Sequence, residues 1–141
     1  MANVIHVHII GQHRDHYFSK VSAIYSVLTA AEVGMTYDPL SRAIKSRNGT
    51  VTTKVAIIKQ SELVGNKRGK VIHVHLMGKG KDYYFSKISA VYSVLTPEEV
   101  GMTYSTLSHA GLSGNGTVFT RKAIIKQAVL VSPNRNNKKE L

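Results

Sequence analysis

Near the start of the chain apolar residues alternate with histidine: Ile5, Val7 and Ile9 flank His6 and His8. The same period of two returns at Ile72, Val74 and Leu76 around His73 and His75. A period of two predicts a half-buried strand. Gly11 and Gly78 then open a polar turn, and Tyr17-Phe18 and Tyr83-Tyr84-Phe85 close a predicted hairpin. Next the period lengthens. Val21, Ile24, Tyr25 and Leu28 fall at i, i+3, i+4 and i+7, as do Ile88, Val91, Tyr92 and Leu95, which predicts a helix with one apolar face. Ser19 and Ser86 are placed to cap it. Thr29 with Glu32, and Thr96-Pro97 with Glu99, spell capping boxes for a second, very short helix that Gly34 and Gly101 stop. Thr36 and Thr103 are expected to cap a third helix, with Tyr37, Leu40 and Ile44, and likewise Tyr104 and Leu107, on its inner side. Asn48-Gly49 and Asn115-Gly116 are hairpin-turn dipeptides, and strands are expected around or after them.

The pattern is one unit written twice. Val4 to Val64 align with Val71 to Val131 at a constant offset, and about 40 of 61 pairs are identical. The expected organisation is a repeat unit over 1–64, a basic linker over 65–70, a second repeat over 71–131 and a disordered basic tail over 132–141. In each repeat the order is β-hairpin, helix, short helix, helix, then β-strand or wing. The fold class expected is α+β, as two tandem copies of a small winged helix-turn-helix-like unit.

Composition narrows the chemistry. The chain has 141 residues, no cysteine, and 19 Lys+Arg against 8 Asp+Glu, a formal charge of +11. Absence of cysteine removes disulfides, thiolate metal sites and cysteine nucleophiles. No apolar run is long enough to span a membrane. Met1-Ala2-Asn3 carries no positive region ahead of an apolar core, so no secretory signal is expected and the expected location is cytoplasmic. The excess charge points to a polyanion, nucleic acid first. It divides as +3 in residues 1–64, +3 in the linker, +3 in residues 71–131 and +2 in the tail.

A third helix after a glycine turn suits a major groove, with a hairpin wing and flanking cations on phosphates. The candidate contacts are Thr36, Asp38, Ser41, Arg42, Lys45, Arg47 and Lys54 in the first repeat. In the second they are Thr103, Ser105, Ser108, His109, Arg121 and Lys122, with Leu112 also expected to face outward. Lys67, Arg68 and Lys70 of the linker add phosphate contacts. Lys20 and Lys87, each at a predicted helix start, are candidate phosphate clamps.

Phe18-Ser19-Lys20-Val21-Ser22-Ala23 and Phe85-Ser86-Lys87-Ile88-Ser89-Ala90 are each followed by Gly-Met-Thr-Tyr-x-x-Leu-Ser, Gly34 to Ser41 and Gly101 to Ser108. Over about half of each repeat this resembles the modular DNA-binding repeats appended to intron-encoded homing endonucleases. The resemblance implies a helix-turn-helix-like binding module and not an enzyme. The inserted Thr96-Pro97-Glu98-Glu99, and Thr29-Ala30-Ala31-Glu32, depart from that pattern, and no nuclease domain is present.

His6 and His8 point to one side of a strand, so with His73 and His75 they are the candidate metal ligands; no metal or other cofactor is expected. Lys59 and Lys126 are expected to face solvent, and Tyr17, Tyr25 and Tyr37 to be core, with Tyr83 the aromatic to test for stacking. Only Asp15/Asp82 and Glu32/Glu99 are acids shared by the copies, and no nucleophile–base set or phosphate loop is visible, so no enzyme is expected. The expectation is a DNA-binding regulator or architectural factor acting in transcription, with double-stranded DNA as partner. A monomer whose two copies act as an internal pseudo-dimer is expected, and no membrane. The alternatives are a protein-interaction or inhibitor module of a mobile element, pairing through a strand edge, or RNA binding.

Overall fold

The computed structural model describes residues 3–46, 49–65, 69–110, 112 and 116–132. They form two compact units. One holds Asn3–Ser61 together with the chain from Leu130; the other holds Glu62–Val129.

In the first unit β1 (Asn3–Ile9) and β2 (Arg14–Phe18) form the expected antiparallel hairpin, with Ile5 opposite Phe18 and His8 opposite Asp15. Three helices follow: α1 (Val21–Ile24), α2 (Ala30–Val33) and α3 (Tyr37–Ser46). A second hairpin, β3 (Thr50–Thr52) and β4 (Ala56–Val64), returns to pair with β1. Ile5, Val7, Ile9 and Phe18 share one sheet face and bury against Ile24, Val33, Leu40 and Ile44 from the helices. Each such side chain contributes roughly 1.5–3 kcal/mol on burial, which is why helices as short as four residues persist: packing, not propensity, holds them.

The second unit repeats the plan. β5 (Lys70–Leu76) and β6 (Lys81–Phe85) form a hairpin, α4 (Ile88–Val94), α5 (Pro97–Val100) and α6 (Tyr104–Ser108) follow, and β7 (Thr117–Phe119) pairs with β8 (Ala123–Val131). β8 lies antiparallel along the whole of β5.

Each unit takes its last rungs from the other repeat. Tyr17 and Phe18 pair in parallel with Leu130 and Val131, and Tyr84 and Phe85 with Leu63 and Val64. In hydrogen-bonding order the strands run β1-β2-β8-β5-β6-β4, and β4 also pairs with β1.

This overturns the winged helix-turn-helix reading, and with it the helix-turn-helix and winged-helix description of the chain. Strands dominate and the helices are few and short. The hairpin placed as a wing, β3–β4 or β7–β8, is instead sheet: β4 and β8 run nine residues and bury apolar residues at both ends, Ala56, Ile58 and Leu63 in one and Ala123, Ile125 and Leu130 in the other.

Local signals fared better. Both capping boxes are closed, Glu32 and Glu99 receiving the Thr29 and Thr96 amides at 2.9 Å. Gly34 and Gly101 end α2 and α5 at φ 91° and 90°, and a Cβ there would meet Thr53 and Thr120 Oγ1 at 2.5 and 2.7 Å. Those two hydroxyls donate to Val33 and Val100 carbonyls at 2.7 Å, so the close approach is used.

Four side-chain expectations are corrected. Ser19 and Ser86 cap nothing: Lys20 and Lys87 occupy the N-cap positions with no side-chain cap, and both serine hydroxyls are buried without a partner. Tyr37 and Tyr104 are about half exposed, not inward. They stand edge-on against Tyr25 and Tyr92 at 6.5 and 6.2 Å. Leu112 is buried, 4% exposed, because α6 ends at Ser108 and the chain turns it into the core beside Leu107. Lys59 and Lys126 are half-buried, not fully solvated. The Asn48 and Asn115 turn positions, residues 66–68 of the linker and residues 133–141 of the tail lie outside the described residues.

Candidate functional site

Two sets of residues carry chemistry in each unit: a histidine–aspartate cluster on the sheet face away from the helices, and a groove beside the β3–β4 or β7–β8 loop.

The cluster follows from the strand register. On β1, His6 and His8 share a face, and the hairpin sets Asp15 opposite His8 and Tyr17 opposite His6. Asp15 Oδ1 lies 2.7 Å from His6 Nε2 and 2.9 Å from His8 Nδ1. In the second unit Asp82 Oδ1 stands 2.8 Å from both His73 Nε2 and His75 Nδ1. A carboxylate only accepts, so both rings donate to it and their tautomers are fixed. His6 and His73 are stacked on Tyr17 and Tyr84 at 4.7 Å and are nearly buried, while His8 and His75 keep about a third of their surface. Lys126 lies opposite His73 on the neighbouring strand.

The cluster is a staple across the hairpin: one carboxylate neutralises the buried polar face that a His-x-His strand creates. It was not legible as such from sequence, although the shared Asp15 and Asp82 were the clue. Each histidine pair is held inside its own unit by its own aspartate. Among the described residues no group of three or more His, Asp or Glu is placed to hold a metal ion.

The grooves are built on the same backbone in both units. In the first, Gly34, Met35, Thr53, Lys54 and Val55 line a cavity of about 690 Å³, with Ala31 and Thr52 at its walls. In the second, a cavity of about 660 Å³ is lined by Glu98, Met102, Phe119, Arg121 and Lys122. Met35 and Met102 are fixed by their carbonyls, which accept from Tyr25 and Tyr92 hydroxyls at 2.6 Å; burial pushes both phenols above their ordinary 10.0. A second cavity of about 360 Å³ shares Glu98, Arg121 and Lys122 and adds Lys79 and Glu99. Glu99 is held below its ordinary 4.5, first by the Thr96 amide and also by Lys79 at 3.5 Å.

The predicted contacts distribute as follows. Asp38, Arg42 and Lys45 are exposed on α3, and Ser41 is half-buried. Thr36 is exposed ahead of that helix, and Thr103 caps α6 by accepting from the Thr106 amide. Ser105, Ser108 and His109 are exposed but tied together, since Ser108 Oγ and His109 Nδ1 both donate to the Ser105 carbonyl. Lys20 and Lys87 are exposed, at helices of four and seven residues, too short to offer an anion site by their dipole. Lys54, Lys70, Arg121 and Lys122 are exposed. The structure brings Arg121 and Lys122 together with Lys79. Arg47, Lys67 and Arg68 lie outside the described residues. Sequence reasoning missed Phe119, 71% exposed; the signal was an aromatic standing where the first repeat has Thr52. Tyr83, the stacking candidate, lies half-buried against Phe85 at 6.3 Å.

No known family, curated protein or solved structure matches the chain. Among the described residues no helix is long and apolar enough to cross a membrane.

Proposed function

We propose that the protein is a DNA-binding protein, non-enzymatic, that grips duplex DNA through its phosphates without a helix reading the major groove. The observation that carries this is how differently the two signs of charge are used. Asp15 and Asp82 are each held by two imidazoles, and Glu32 and Glu99 close capping boxes. Four of the chain's eight acids are thus consumed by the fold. Arg14, Lys20, Arg42, Lys45, Lys54, Lys70, Lys81, Lys87, Arg121 and Lys122 are all exposed, and among the described residues none makes an ion pair. Idle exposed cations on a chain of charge +11 create a field that a phosphate backbone satisfies by counterion release.

Such a role fits a small architectural or regulatory factor in the cytoplasm. Binding through the strand face by aromatic stacking is disfavoured, because Tyr17 and Tyr84 are about 1% exposed.

Fluorescence anisotropy with a labelled 20-base-pair duplex, at salt from 50 to 300 mM, tests the reading. Affinity should fall steeply with salt. Replacing Arg42 and Lys45, or Arg121 and Lys122, by Ala should flatten the slope of log K against log salt by roughly one per lost phosphate contact. Absence of binding at 50 mM salt, or binding indifferent to salt and to these substitutions, overturns it.

A further inference from the structure

We propose that the groove of the second unit is a pocket for one unpaired nucleotide, with Phe119 stacking on the base and Arg121 and Lys122 taking the adjoining phosphates. The proposal deepens the DNA-binding reading and rests on it: it names the form of DNA that the second unit prefers.

Three observations converge. First, Phe119 is the most exposed large apolar side chain described, 71% accessible on a three-residue strand, and it spends no packing on the core. An aromatic face left open beside cations is the usual platform for a base, since every base has a π-face to offer. Second, Arg121 and Lys122 line the same groove as Phe119, and both are exposed and unpaired among the described residues, whereas Lys79 in the neighbouring cavity is paired with Glu99. A base on Phe119 would therefore have two free cations beside it for its phosphates. Third, the first unit supplies an internal control. Its groove has nearly the same volume and the same Gly-Met and Thr lining, yet Thr52 stands for Phe119, Lys54 for Arg121, Val55 for Lys122 and Ala31 for Glu98. The backbone repeats while the aromatic and a cation are present in one copy alone, so neither is needed to build the groove.

Glu98 also lines the groove, and a carboxylate repels phosphate. It fits the base instead: an unpaired base turns its Watson–Crick edge outward, and a carboxylate accepts from the N–H groups there. A paired base has those donors occupied, so this wall also favours an unpaired nucleotide.

The test compares three DNA probes on the full chain by anisotropy: a blunt duplex, the same duplex with a three-nucleotide single-stranded overhang, and the overhang strand alone. The overhang carries 2-aminopurine so that stacking is read directly as fluorescence quenching. The wild type should bind the overhang duplex roughly ten-fold more tightly than the blunt one and quench the 2-aminopurine. Phe119→Thr, which installs the first unit's residue on an exposed position, should abolish both the preference and the quenching while leaving blunt-duplex affinity unchanged. Glu98→Ala should narrow the preference for the overhang duplex over the blunt one. Equal binding of blunt and overhang duplexes by the wild type overturns the pocket and leaves the DNA-binding reading standing. So does a Phe119→Thr protein that still quenches. Failure to bind any of the three probes removes both.

Discussion

In the first unit the third helix runs ten residues and presents Asp38, Arg42 and Lys45 to solvent; in the second it stops after five, at Ser108. The sequence reason is compact. Ile44, which closes the first core at 3% exposure, is replaced by Gly111, and the apolar duty passes one residue on to Leu112. A glycine costs helix stability and a displaced apolar residue pulls the chain inward. The grooves diverge in the opposite sense. The second unit, having lost its basic helix, carries Phe119, Arg121, Lys122 and Lys79 around its loop, where the first has Thr52, Lys54, Val55 and Gln12. The two units share the side-chain bonds that pin the backbone before the third helix and at the loop: the His–Asp–His staple, the capping box, the threonine under the glycine, the tyrosine under the methionine. What differs is where each exposes charge. Duplication preserved the scaffold and divided the surface work, charge on a helix in one copy and on a groove in the other.

The largest test of that comparison concerns which unit a residue serves. Leu63 ends the first repeat, yet it is buried at 2% in the second unit, opposite Tyr84. Leu63→Ala should cost roughly 2–5 kcal/mol. Hydrogen exchange should show the loss of protection first in β5, β6 and β8 rather than in β1 and β2; the reverse pattern would contradict the exchange of strand ends. A smaller effect is expected at the staple. Asp82→Ala leaves two largely buried imidazoles without their acceptor and should destabilise by roughly 1–3 kcal/mol. Asp15→Ala should cost about the same, as the two clusters have matching distances and burial. Urea titration of both variants decides whether the staples are equivalent. The smallest effect is in pH. Burial, and then Arg14, hold His16 below its ordinary 6.5, so the folded chain resists a proton that the unfolded chain accepts. The neutral form's stability is complete above 6.5 and is lost as pH falls below it. The second unit has Tyr83 at this position. His16→Tyr should therefore flatten the fall in melting temperature between neutral pH and pH 5.

How much of this the sequence showed depends on the distance over which each residue acts. The hairpin alternation at Ile5-Val7-Ile9, the capping boxes and the glycine stops are local, and each appears as read. The two-histidine strand was legible, but its meaning depended on Asp15 lying across a hairpin, where one step of register decides whether it meets His8 or faces away. The partners of Leu63-Val64 and Leu130-Val131 were not legible at all, because no local pattern tells a strand end which repeat will receive it. The inward placement of Tyr37 failed for another reason. A helical period says which residues share a face, but α3 starts at Tyr37, where the helix has not yet come under the cover of its neighbours.

The crossed strand ends also bear on how such a gene can be cut. Because Leu130 and Val131 complete the first unit, and Leu63 and Val64 the second, the first unit is not a continuous stretch, and the second, Glu62–Val129, begins inside the first repeat and ends before the second repeat does. A truncation that deletes one repeat strips a parallel rung from the survivor, and the orphan must find that rung on another molecule or leave an edge bare to aggregation. A cut at the repeat boundary would then have to carry the pair as one cassette.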